Sequence, residues 1–468
     1  MRAARLLLAA LLGATLTAAC TSSKSDSPTV SSAPGTAGGP ATSTAPSSSL
    51  AKPPANPPDW PTYHGDLQRT GVSTSMPAAS GKLLASKVKL DGQVYASPIV
   101  VAATLIVATE NNTVYGLSTD GVQRWSTNLG RPTPKSALPC GNIDPLGITG
   151  TPIYDASSRS VFVVASTGTT VQHVLVALDP STGAIRWRRS VDLPGADAQA
   201  MQQRGALTIN VGRVWVPFGG LAGDCGAYKG RVVGVPVGDG PPIQYTVPTT
   251  REGGIWTPPG PTVFQGRLIV AVGNGESVGG TYDFSDSVLA LQDNRLVDSF
   301  SPASWASDNR TDLDLGSQGP TVVDGRWIFI AGKSGNGYVL RIGKLGGIGG
   351  EVSQAPICAS FGGTAVLGST VYVPCKDGIR AVQISSAGTM KALWHAAASI
   401  AGSPVVGGGR VYALDQSGGV LHALDPATGG TREQVDVGVT SRFATPAISG
   451  ASLFVPTLTG VTIVRTAR

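Results

Sequence analysis

Between residues 401 and 429, short apolar runs alternate with glycine-rich turns. Residues 403–406 are apolar, Gly407-Gly408-Gly409 turns the chain, and residues 410–414 are rich in β-formers. Gln416-Ser417-Gly418-Gly419 turns it again into residues 420–424, and Asp425-Pro426-Ala427-Thr428-Gly429 leads to a fourth run over 431–437. That last turn has a local cause: Pro426 presets φ, Asp425 can accept from the backbone beyond it, and Gly429 can take positive φ. The pattern predicts four short antiparallel strands.

The same pattern recurs from about residue 96 onward. Each copy opens on small residues, often with proline, as in Ala96-Ser97-Pro98, Gly150-Thr151-Pro152, Gly319-Pro320 and Ala444-Thr445-Pro446. Markers at 98, 152, 206, 261, 320, 364, 404 and 446 are spaced by 54, 54, 55, 59, 44, 40 and 42 residues. Eight copies of a four-stranded unit at this period predict an all-β fold, an eight-bladed β-propeller of four-stranded antiparallel blades. The eighth copy ends after three strands, and residues 83–90, which precede the first complete repeat, are expected to supply its fourth. Such closure pairs the chain ends and removes an exposed sheet edge. Trp125, Trp187 and Trp394 fall on fourth strands and are expected to wedge between neighbouring sheets.

Composition agrees with many turns and few helices, with 62 glycines, 34 prolines and 14% charged residues. The formal charge of +6 includes Arg2 and Arg5, and the remaining +4 forms no basic stripe, which argues against nucleic acid as a partner. Arg2 and Arg5, the apolar residues 6–16 and Ala18-Ala19-Cys20 read as a signal peptide over residues 1–19, too short to span a bilayer. Cysteine directly after the small residues resembles a bacterial lipoprotein signal, with Thr17 where that family favours leucine. The resemblance implies lipidation of Cys20 and attachment to the membrane. Residues 20–58 continue as a Ser/Thr/Pro/Ala/Gly tether without an aromatic residue, and residues 59–468 form one propeller domain. Export makes disulfides of the other four cysteines; of three pairings, Cys140–Cys225 with Cys358–Cys375 is expected, because the second pair falls within one repeat.

Ala177-Leu178-Asp179-Pro180-Ser181-Thr182-Gly183 and Ala423-Leu424-Asp425-Pro426-Ala427-Thr428-Gly429 resemble the PQQ-like repeat. Quinoprotein dehydrogenases share that repeat with the propeller lipoprotein of the outer-membrane β-barrel assembly machinery. The resemblance covers residues 59–468. It implies that Asn274, in Gly273-Asn274-Gly275, would be a calcium ligand beside the quinone PQQ, and that Asp312 or Asp314 would be the catalytic base. Those enzymes also carry a ring of two adjacent cysteines and a glutamate ligand. Here no Cys-Cys occurs, Cys225 stands alone, and Asp224 is the acidic residue at the glutamate's place. Read without the resemblance, Asn274 is a positive-φ turn residue, and Asp312 and Asp314 belong to a solvated loop.

Other chemistry finds little support. Gly275-Glu276-Ser277-Val278-Gly279 matches the nucleophile-elbow pattern outside the strand–turn–helix context that motif needs. His64, His173, His395 and His422 lack metal-ligand spacing, and nucleotide-binding glycine motifs are missing. Arg186, Arg188 and Arg189 read as a solvated strand face. Trp256, in a proline-rich loop, is the candidate binding-surface residue for a protein or glycan. The leading expectation is a monomeric, lipid-anchored, extracytoplasmic binding or scaffold module with an envelope protein or polymer as partner. The alternative is a PQQ- and calcium-dependent dehydrogenase of an alcohol or sugar.

Overall fold

A computed structural model describes residues 59–466; the expected signal peptide, Cys20 and nearly all of the tether lie outside them. The eight repeats form eight antiparallel sheets. We number these blades 1 to 8 in the order of their inner strands, Ile99–Val101, Ile153–Asp155, Thr208–Asn210, Thr262–Phe264, Thr321–Val323, Ala365–Leu367, Val405–Gly407 and Ala447–Ser449. These short strands touch those of neighbouring blades around the ring, and blade 8 meets blade 1. The middle strands are almost wholly buried, whereas a fourth strand such as Thr431–Asp436 exposes four of its six residues to solvent. Leu83–Lys89 pairs antiparallel with Gly460–Thr466, so the N-terminal strand completes blade 8 as the repeat count requires.

The repeat turn locks adjacent blades. Gly183 and Gly429 both have positive φ, +72° and +73°, and a Cβ there would fall 2.3 Å from Trp125 and 2.4 Å from Trp394. Glycine lets the turn of blades 2 and 7 close over the tryptophan of the preceding blade. Each indole N–H then donates to the turn's proline carbonyl, Trp125 to Pro180 O at 3.2 Å and Trp394 to Pro426 O at 2.9 Å. Blade 3 lacks this turn, and Trp187 instead lies under the Arg189 guanidinium at 4.2 Å. Arg186 and Arg188 beside it are exposed, as a solvated strand face requires, yet the guanidinium groups there are engaged. Arg188 donates to Leu129 O, Arg189 to Pro236 O and Gly238 O, and Arg186 pairs with Asp179.

The segment before the first repeat runs through the central channel and plugs it. Trp60 exchanges backbone hydrogen bonds with Val100 of blade 1, and Pro61 O accepts from Tyr154 N–H of blade 2. Leu67 O, Thr70 O and Gly71 O accept from Val263 of blade 4, Val366 of blade 6 and Val406 of blade 7. Val72–Ser73 then adds a parallel strand inside blade 7. Arg69 is 1% exposed, and its guanidinium donates to Thr62 Oγ1, Tyr63 O, Asp66 O, Leu207 O, Thr208 Oγ1 and Pro261 O. His64 is buried between Thr364 O and Thr445 Oγ1, and burial pushes its pKa down to about 3, so the ring is neutral.

Both expected disulfides form. Cys140–Cys225 pins the loop between blades 1 and 2 to a hairpin of blade 3, and Cys358–Cys375 joins the end of blade 5 to the second strand of blade 6. They accord with an oxidising compartment. No described helix is long and apolar enough to cross a membrane.

Candidate functional site

Loops that enter the inner strands, and hairpins between second and third strands, emerge on one face of the ring. There they enclose a cavity of about 400 Å³. A narrow void bounded by Tyr63, Tyr95, Thr149, Arg204 and Phe443 leads from it toward the plug. The channel is therefore a blind funnel, with the plug as its floor.

Every candidate side chain in the propeller lines this cavity: Asp224, Trp256, Asn274, Asp312 and Asp314. They come from blades 3 and 4 and the loops that follow them. Asn274 leaves the second strand of blade 4, and its φ is not in the left-handed region. Its amide donates to Asp312 Oδ1 at 2.7 Å, and its own Oδ1 is buried without a partner. Asp312 and Asp314 do not share the solvated loop expected of them: the Asp312 side chain is 75% exposed and that of Asp314 only 5%. Trp256 is half-buried, donates its indole N–H to Asp314 Oδ2 at 3.3 Å and meets Phe443 edge to face. Asp224 accepts from the Tyr228 hydroxyl at 2.6 Å.

Lys333 is the residue sequence reasoning passed over. Its ammonium lies 2.5 Å from Asp312 Oδ1 and 3.5 Å from Asp314 Oδ1. Burial pulls the Lys333 pKa down, but Asp314 and Asp312 outweigh it, so the net direction is up. Burial pushes Asp314 up to about 6 against the pull of Lys333. A signal existed: Gly332-Lys333 follows the second strand of blade 5 as Gly273-Asn274 follows that of blade 4. Arg204, Arg442 and Phe443 also line the cavity and belong to no motif.

The donor set does not fit calcium. That ion takes six to eight oxygens, whereas the cavity offers one unengaged amide oxygen and four carboxylates that are already engaged, Asp312 and Asp314 by Lys333, Asp224 by the Tyr228 hydroxyl and Glu252 by Arg251. No cluster of three acidic, histidine or cysteine residues with metal-binding geometry occurs among the described residues. The Cys140–Cys225 bridge links two separate loops in the cavity wall, unlike a ring of adjacent cysteines. Ser277 donates its hydroxyl to Gly279 O in an irregular loop, so the nucleophile-elbow pattern there is incidental.

Residues 67–216 match the family model described as outer membrane protein assembly factor BamB. None of the curated protein sequences matches the chain. Among solved structures, the quinohemoprotein alcohol dehydrogenase of Comamonas testosteroni superposes with a TM-score of 0.67 at 17% identity, over 88% of this chain and 81% of that one. Quinohemoprotein alcohol dehydrogenase ADHIIG of Pseudomonas putida HK5 gives 0.69 at 14% identity, over 88% and 80%. BamB of Moraxella catarrhalis gives 0.57 at 18% identity, over 82% of this chain and 100% of that one. At these identities the likeness is one of fold. Ring closure and superposition together make this chain an eight-bladed β-propeller with the fold of those dehydrogenases and of BamB.

Proposed function

We propose that the protein is a lipid-anchored, extracytoplasmic binding module of the cell envelope, which engages its ligand or partner through the blind funnel and does not oxidise it. The observation that carries this reading is Lys333, whose ammonium spans Asp312 and Asp314 where the resemblance would put calcium chemistry. Asp314 is thereby a buried, partly neutralised acceptor suited to holding a hydroxyl or amide. The disulfides and the likeness to BamB support an extracytoplasmic place and an envelope protein or polymer as partner.

Catalysis is the decisive test. Purified full-length protein reconstituted with PQQ and calcium should reduce no dye above background with a panel of alcohols and sugars. Saturable turnover that Asp314→Asn or Asp312→Asn abolishes would overturn the binding-only reading. For the binding role itself, a photo-crosslinker at Trp256 in intact cells should capture a defined envelope component that the same probe at Val211, on an exposed turn, does not. Capture of the same species from both positions would count against the funnel. Cys20→Ser should release the protein from membranes and abolish labelling by a clickable fatty acid.

A further inference from the structure

The funnel holds two guanidinium groups that have no ion-pair or hydrogen-bond partner among the described residues. Arg204 enters the cavity from the loop before the inner strand of blade 3, and Arg442 from the loop before that of blade 8. Both rest on aromatic rings. Arg204 lies 4.4 Å from the Phe443 centroid; Arg442 lies 5.4 Å from the same centroid and 4.1 Å from that of Phe361. Neither guanidinium donates a hydrogen bond or pairs with a carboxylate among the described residues. Glu110 is the nearest candidate counter-ion. It forms no ion pair with Arg204, its Oε2 is engaged by Gly147 N–H at 2.6 Å, and its Oε1 is buried without a partner.

Arg204 is half-buried and Arg442 exposed, so their donors stay open to whatever enters the funnel. Burial pulls the Arg204 pKa down to about 10 against the pull of Glu110 and Tyr95, and Arg442 adds a smaller repulsion. Five donors on each planar fork are directed by the stacking and left without protein acceptors. An arginine needed only for packing would find carbonyls, as Arg69 does at the floor of the same funnel.

We infer that Arg204 and Arg442 form an oxyanion-binding site, which takes the carboxylate or phosphate of a hydroxylated small molecule or chain end entering the funnel. The adjoining wall, where Trp256 packs on Phe443, suits the body of such a ligand. Trp256 offers an aromatic surface, and Asn274 and Asp314 offer acceptors for hydroxyls. Carboxylate and phosphate share the chemistry a guanidinium pair recognises, so sugar acids and sugar phosphates are the classes to compare. The inference rests on the funnel being the binding site, as proposed above, and adds the charge of what it binds.

The test uses detergent-solubilised full-length protein, with calorimetry and tryptophan fluorescence as readouts. D-glucuronate, D-glucose 6-phosphate, inorganic phosphate and D-glucose are the probes. At least one of the anionic sugars should bind saturably, about tenfold or more tighter than glucose, and which one does distinguishes carboxylate from phosphate. Arg204→Gln and Arg442→Gln should each weaken it by about ten- to hundredfold, whereas Arg204→Lys should retain part of the affinity. Phosphate competing as well as the sugar would show that the anion alone is recognised. Equal affinity for glucose and the anions, unchanged by Arg204→Gln, would overturn the charge assignment yet leave the funnel as a binding site. No saturable binding of any anion up to about 10 mM would overturn the inference, and crosslinking from Trp256 would then judge the funnel independently. Unchanged melting of the variants shows that they fold.

Discussion

Arg69 and Arg204 are both cationic side chains at the centre of the ring, yet their surroundings differ in kind. Arg69, in the plug, reaches carbonyls or hydroxyls of residues 62, 63, 66, 207, 208 and 261, and so ties the opening segment to blades 3 and 4. Arg204, in the funnel wall, stacks on Phe443 and donates to no acceptor among the described residues. A buried charge whose donors are met by fixed acceptors stabilises the arrangement around it, whereas the half-buried Arg204 keeps its donors open to the funnel. The first pattern marks a fastening, and the second a place where something from outside supplies the missing acceptor. The channel is shut at one end and opens at the other into the cavity that Arg204 lines.

Removing the fastening should have the largest effect. Arg69→Ala strands carbonyls from two blades and leaves a void, so we expect a loss of at least about 3 kcal/mol in urea unfolding at unchanged slope. Arg69→Lys should fall between, because an ammonium cannot span the same acceptors. A loss below about 1 kcal/mol would mean that the plug merely lies in the channel and that the contrast with the funnel is one of appearance.

Glu110 sits between the two regimes, buried like the plug at 1% exposure and incompletely paired like the funnel. Burial pushes its carboxyl from an ordinary 4.5 up to about 7, against the pull of the Gly147 N–H. Between those values the folded state binds the proton more tightly than the unfolded chain does. Stability should therefore be greatest at the acidic end of this window and fall as pH rises through it, by on the order of 3 kcal/mol for this group. Asp314, pushed up to about 6, acts in the same direction. Glu110→Gln should flatten the profile between about pH 5 and pH 8. A wild-type profile that instead rises with pH would show Glu110 to be well paired in solution, and with it Arg204 to have a counter-ion.

The smallest effect is expected where the ligand is thought to bind. Arg204→Gln should change stability by no more than about 0.5 kcal/mol, because the half-buried guanidinium has no hydrogen-bond or ion-pair partner among the described residues, and the lost pull of Glu110 is partly offset by relief from Arg442. A loss above about 2 kcal/mol would make Arg204 a second fastening and erase the comparison.

The ring was legible residue by residue. The Asp-Pro-x-Thr-Gly turns marked the third-to-fourth-strand corner of blades 2 and 7, and the tryptophans of blades 1 and 6 dock on their proline carbonyls. The three-stranded last repeat called for residues 83–90, which pair along Gly460–Thr466. Of the site, Asn274, Asp312, Asp314, Asp224 and Trp256 could be singled out from resemblance and composition, and all line one cavity. Lys333, Arg204 and Arg442 could not, because an isolated basic residue in a loop looks the same whether it faces water, a carbonyl or an empty funnel. Nor did residues 59–71 announce a plug; their polar and aromatic mixture matches an ordinary surface segment.

The division follows from the range of the forces. Strand alternation, turn chemistry and the repeat period are set by neighbours in the chain, and a ring of repeats requires only that each blade pack on the next, so the sequence alone determined the architecture and its closure. Which charges find partners depends on groups brought together only when the ring closes. Arg69 meets Pro261 O across 192 positions, and Trp256 meets Asp314 across 58. No local pattern encodes that meeting, so the tertiary structure alone decided that one end of the channel is sealed and the other left open with its charges unpaired.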